Sequence, residues 1–257
     1  MSLFNEKIKE ISIKEALIII ILSYLAAFAL KFFNLSAMGI FNVVIILYFV
    51  LSLKDFKHEF KLEVSEIFAR ISFNDILLIV LLNIFFSYGM LYLVGFAISL
   101  IPSDTYLRFF IPIKSIIGIL SFISIVLVSP IAEELIFRGI LLNKLKLIVP
   151  TLFAILISSL LFASLHSVGS IFSAFIFAIC MAILYLKSEN ILVPIFAHFL
   201  NNLIGESIYH IDYANLLFTN TIVMFVMSVL AVVSFILILK FINSNMKYLN
   251  NPKIKIM

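Results

Sequence analysis

Eight runs of apolar residues follow one another along this chain with only short polar breaks between them, covering about 15–33, 37–53, 75–101, 115–147, 151–166, 170–187, 191–208 and 217–241. A helix needs roughly 20 such residues to cross a hydrocarbon core of about 30 Å. Most of the chain is thus committed to lipid. Hydrophobic residues make up 64% of it and charged residues 12%, against roughly 45–50% and about 25% in a soluble domain. The expected architecture is all-α: one polytopic transmembrane domain over 1–257, a helical bundle of about eight spans. No length remains for a large soluble domain beside it.

The polar connectors set the orientation. Residues 54–74 alternate charge and hydrophobe (Asp55, Lys57, Glu59, Lys61, Glu63, Phe68, Arg70) and read as an amphipathic segment lying on one membrane face. Residues 102–114 form a polar loop that opens with Pro102 and Ser103. Eight crossings with the amino terminus inside place 15 of the 18 Lys and Arg on the inner side, leaving Lys31, Arg108 and Lys114 outside. Basic residues favour the cytoplasmic side. The expectation is a multi-pass protein of the cell membrane with both termini cytoplasmic, and a first run retained as a span rather than cleaved. The net charge of +4 needs no nucleic-acid partner, because the basic residues sit at segment ends. The one cysteine, Cys180, excludes an internal disulfide and reads as an apolar side chain within a span. No internal repeat is evident, which disfavours repeat-built transporters.

Against this background a few polar groups stand out at membrane depth. Ionisable residues there are expensive, face the bundle interior and mark function by default. Glu133 and Glu134 are adjacent, with Arg138 four residues after Glu134. Residues four apart share a helical face, so Glu134 is placed to pair with Arg138. Glu133, about 100° away around the helix, remains as the carboxylate suited to act as general base on water. Phe162 and His166 repeat the spacing on the fifth run, and His198 and Asn202 on the seventh, where two donors on one face can stabilise an oxyanion. Counting about 1.5 Å of rise per residue from the inner ends of three runs brings Glu133, His166, His198 and Asn202 to similar depths. Asn201 points elsewhere on its helix, and His58 and His210 fall in connecting segments as solvated groups. Pro130, in the middle of the fourth run, should kink it.

Other intramembrane protease chemistries do not fit. His166 is followed by Ser167 and His198 by Phe199, so neither opens a His-Glu-x-x-His zinc motif. Gly169-Ser170-Ile171 does not supply the Gly-x-Ser-Gly turn of rhomboid serine proteases, and the spans lack the paired aspartates of aspartyl proteases.

Taken in order, Glu133-Glu134-x-x-x-Arg138, Phe162-x-x-x-His166 and His198-x-x-x-Asn202 resemble the three-motif signature of the ABI/CPBP family, the membrane proteins of CAAX-prenyl-endopeptidase and bacteriocin-processing type. The resemblance covers 133–202, within a family core of about 115–208. It implies an intramembrane endopeptidase in which Glu133 and His166 activate water while His198 and Asn202 form the oxyanion hole. Glu134, Arg138 and Phe162 would support the site. It further implies an eight-helix fold whose cavity opens to the cytoplasmic side, and a lipidated or membrane-associated peptide as substrate. No cofactor is expected. The alternative is a zinc ion held by Glu133, His166 and His198 with one open position. A proton-relaying transporter and a catalytically silent immunity-type protein are the competing classes.

Overall fold

The computed structural model describes residues 3–30, 37–99, 118–212 and 216–250, and every regular element among them is helical. The polar loop at 102–114 with Arg108 and Lys114, and likewise Lys31, Lys253 and Lys255, lie outside the described residues. A short amphipathic helix, α1 (Leu3–Glu10), precedes α2 (Ile13–Leu30) and α3 (Ala37–Ser52). The charged connector forms α4 (Lys57–Ser65). Then come α5 (Phe73–Ser99), α6 (Ile119–Leu145), α7 (Thr151–Ala163), α8 (Ile171–Ser188), α9 (Leu192–Ile211) and α10 (Thr221–Asn250).

Each of the eight apolar runs forms a helix among its described residues, but they are not eight equal spans. Among the described residues, four helices (α5, α6, α8 and α10) are long and apolar enough to cross a membrane, or six if α1 with α2 and α3 with α4 each count as one bent span. The bends are 83° and 111°. The two remaining helices fall outside that count for local reasons. α7 has 13 residues, about 20 Å of helix, and the apolar run of α9 is interrupted by His198, Asn201, Asn202, Glu206 and His210.

α8 is the axis of the bundle. Ala178, Cys180, Met181, Ala182 and Ile183 are fully buried there, as a helix apolar on all sides requires. Around it the outer helices turn large hydrophobic residues away from the centre: Leu17, Ile21 and Phe28 on α2, Ile222 and Phe225 on α10. Such a surface is stable in lipid, and the chain is a multi-pass membrane protein. Without a hydrophobic drive between helices in lipid, close approach depends on small residues. Gly89 on α5 provides it, since a Cβ there would run into Ala231 Cβ and the Met227 carbonyl of α10.

The lysine-bearing ends of the helices are gathered together. Asn5 of α1 donates to Glu63 Oε1 of α4 and to the Glu189 carbonyl, both at 2.9 Å, and its Oδ1 accepts from Ile191 N–H. Asn190 donates to the Glu63 carbonyl, Lys144 to the Lys9 carbonyl, and Arg70 pairs with Glu189. Glu189 ends α8 in the left-handed conformation (φ 54°) that turns the chain into α9.

Candidate functional site

The site is built on α6, whose winding departs from the α-helix. α6 continues through Pro130 rather than breaking there, and absorbs it with two π stretches, Ser124–Val128 and Leu135–Leu142, on either side of Ser129–Glu134. Such stretches are rare and frequent at functional sites. In π winding the N–H of residue i+5 bonds the carbonyl of residue i, as Ser129 does to Ser124. Position 130 would serve Ile125 in that register, but proline has no N–H. The Ile125 carbonyl takes a side chain instead: Asn202 Nδ2 of α9 donates to it at 2.9 Å. Ser129 is held in turn by Asn42 of α3, whose Nδ2 donates to the hydroxyl at 2.6 Å. At the far end of the second π stretch Asn143 donates to the carbonyls of Arg138 and Gly139 and to Tyr185 Oη.

Glu134 is fully buried, and its Oε1 is the hub of the site. It accepts from Arg138 Nη1 at 3.0 Å, the pairing that the spacing predicts, and from His198 Nδ1 at 2.9 Å. Arg138, also buried, spends Nη2 on the Ala178 carbonyl of α8 at 3.0 Å and lays its guanidinium over the Phe162 ring, 4.8 Å from the centroid. One carboxylate oxygen thus ties α6 to α9, and one guanidinium ties α6 to α7 and α8. Glu133 is the more open of the two carboxylates, its side chain 26% exposed, with Oε2 3.9 Å from His198 Nε2.

The two histidines have defined tautomers. A carboxylate paired with Arg138 is an acceptor, so His198 carries its proton on Nδ1 and turns Nε2 towards Glu133. His166 Nδ1 lies 3.1 Å from the Phe162 carbonyl, which can only accept, so its Nε2 too is without a proton in the neutral ring. Phe162 is the spacer between them. Its ring is 4.8 Å from that of His166 and 5.9 Å from that of His198, and Phe177 of α8 closes on His198 at 4.8 Å.

Three placements differ from the sequence reading. His166 does not continue the helical face of Phe162: α7 ends at Ala163, and His166 sits exposed in the turn that follows, its N–H on the Ala163 carbonyl. The Ser-rich approach to Gly169 ends the helix early. Asn201 does not point away from the site, since its Nδ2 donates to Asn202 Oδ1 at 3.3 Å. His210 lies inside α9 rather than in a connector. As for a metal, no three His, Cys, Asp or Glu side chains among the described residues are grouped closely enough to hold an ion. His198 Nδ1 is already engaged by Glu134.

Sequence reasoning missed Glu206, which stands four residues after Asn202 on α9 and shares its face; the same spacing rule would have found it. It missed the Ile125 carbonyl too, because no side-chain pattern announces a freed backbone acceptor. Residues 115–204 match the family model described as type II CAAX prenyl endopeptidase Rce1-like. No curated protein and no solved structure matches the chain.

Proposed function

We propose that this chain, which carries an Rce1-like domain over 115–204, is an integral-membrane endopeptidase that hydrolyses peptide bonds of membrane-associated peptides with water activated by Glu133 and His166. The observation that carries the reading is the partition of the two adjacent glutamates. Glu134 is fully buried with its Oε1 shared by Arg138 and His198, while Glu133 stays partly open beside the His198 ring. A protein built only to clasp its helices would have no use for the second carboxylate.

In the proposed reaction Glu133 takes one proton from water as its oxygen attacks the scissile carbonyl carbon, and the unprotonated Nε2 of His166 accepts a hydrogen bond from the other. The charge that develops on the carbonyl oxygen is met by the second amide proton of Asn202, whose first is held by Ile125, and by His198 Nε2. Donation from Nε2 requires the doubly protonated ring, because Nδ1 already holds its proton against Glu134. When the C–N bond breaks, the amine leaves with the proton held by Glu133. Donors preset where charge develops contribute about 10²–10³ in rate each.

No metal is needed in this scheme. Quenched lipidated and unlipidated peptides presented to the purified protein should be cleaved, and cleavage should survive exhaustive chelation. Activity lost on chelation and restored by zinc, with one zinc per active chain, would overturn the metal-free reading.

A further inference from the structure

Among its described residues α3 buries three against the bundle: Asn42, Ile45 and Phe49, at i, i+3 and i+7 on one helical face. Ile45 and Phe49 join Ala132 and Leu135 of α6 in one apolar core. The third is an amide, 2% exposed in an otherwise apolar stretch of helix. A buried amide is costly unless it is hydrogen-bonded, and packing alone would favour an apolar side chain there. Asn42 Nδ2 donates to Ser129 Oγ at 2.6 Å. The residue lies outside 115–204, the stretch that carries the family match.

Ser129 is where α6 changes register. In α winding its N–H would bond the Ile125 carbonyl, four residues back. It bonds Ser124 instead, five residues back. Pro130, next in line, has no N–H to offer. The Ile125 carbonyl is thereby left to Asn202 Nδ2, at 2.9 Å. Asn201 Nδ2 donates to Asn202 Oδ1 at 3.3 Å, so the Asn202 amide is held at both ends. A Ser129 that slipped back into α register would bring its N–H to Ile125 in competition with Asn202. Its hydroxyl, held from α3, opposes that slip.

We infer that Asn42 is a positioning residue for the reaction. Its bond to Ser129 keeps this turn of α6 in π register, which reserves the Ile125 carbonyl for Asn202 and aims the second Asn202 amide proton at the developing oxyanion. The inference rests on the hydrolytic reading, in which Asn202 meets that charge. Asn42 acts only through Ser129, Ile125 and Asn202.

Asn42→Leu and Ser129→Ala break the bond from either side, and turnover of quenched peptides reads the effect. Each should lower kcat about 10- to 10²-fold with KM unchanged, because a displaced oxyanion donor is missed only in the transition state. In an Asn202→Ala background neither should cost anything further, since the group they act through is gone. Unchanged kcat in both variants, or losses that multiply with that of Asn202→Ala, overturns the assignment. A thermal melt accompanies each variant, and Ser129→Ala carries the test if Asn42→Leu is unstable. Loss of the fold in both would make the bond a structural clasp and overturn the assignment as well. The Asn202 side-chain amide resonance of isotope-labelled protein, identified by its disappearance in Asn202→Ala, gives a readout independent of turnover. Asn42→Leu should shift it and leave the Asn143 resonance in place. A chain that cleaves no peptide yet shows that shift refutes the hydrolytic reading and leaves the coupling of α3 to Asn202 standing. An unmoved Asn202 resonance overturns the coupling whatever the activity.

Discussion

At the scale of residues, Glu134 has a double task, as the counter-ion of Arg138 and as the anchor of His198. Its i,i+4 relation to Arg138 could be read from the sequence, because helical geometry alone brings those groups together. Its bond to His198 could not, since that contact joins residues 64 apart and depends on how α9 packs against α6. The ion pair is buried, so removing one partner leaves an uncompensated charge worth about 3–5 kcal/mol. Glu134→Ala and Arg138→Ala should each lower the detergent thermal melt. Replacing both by apolar residues of similar volume should recover stability better than either single change, yet leave the protein inactive because His198 has lost its anchor. A double variant less stable than both singles would show that the pair is no clasp.

At the scale of elements, α6 and α4 each make a testable statement. Pro130 frees the carbonyl that holds Asn202, so Pro130→Ala should return an N–H to the helix, leave the melt unchanged or raised, and lower turnover by releasing Asn202. Unchanged turnover with an unchanged melt would separate the proline from the site. On α4, burial pushes the Glu63 carboxyl up to about 7, against the lowering effect of the Asn5 hydrogen bond. The folded state therefore binds this proton more tightly than the unfolded chain, whose carboxyl titrates near 4.5. The stability it contributes is fully present below about 4.5 and is lost as pH rises through about 7. Thermal melts between pH 5 and 8 should fall with rising pH, and Glu63→Gln should flatten that slope. An equal slope in the variant would place the pH dependence elsewhere. The alternation of charge in 54–74 announced an interfacial segment, but not that Glu63 would be folded under α1, because nothing in α1 marks Asn5 as its partner.

At the scale of the whole molecule, the positions of the helices were legible and their lengths in the membrane were not. Apolar runs locate helices because lipid leaves the backbone little else. They do not announce where a helix stops short, as α7 does before His166, or bends, as α1–α2 and α3–α4 do. The three motifs converge because α6, α7 and α9 surround α8, and that arrangement rests on buried contacts such as Arg138 to the Ala178 carbonyl. The central claim is that Glu133 does the chemistry for which Glu134 only sets the stage. Cleavage of quenched peptides by purified Glu133→Gln protein, measured beside the unaltered chain at matched thermal stability, tests it most directly. Hydrolysis falling to background in a normally folded variant is the expected result; appreciable turnover without the Glu133 carboxylate would contradict it.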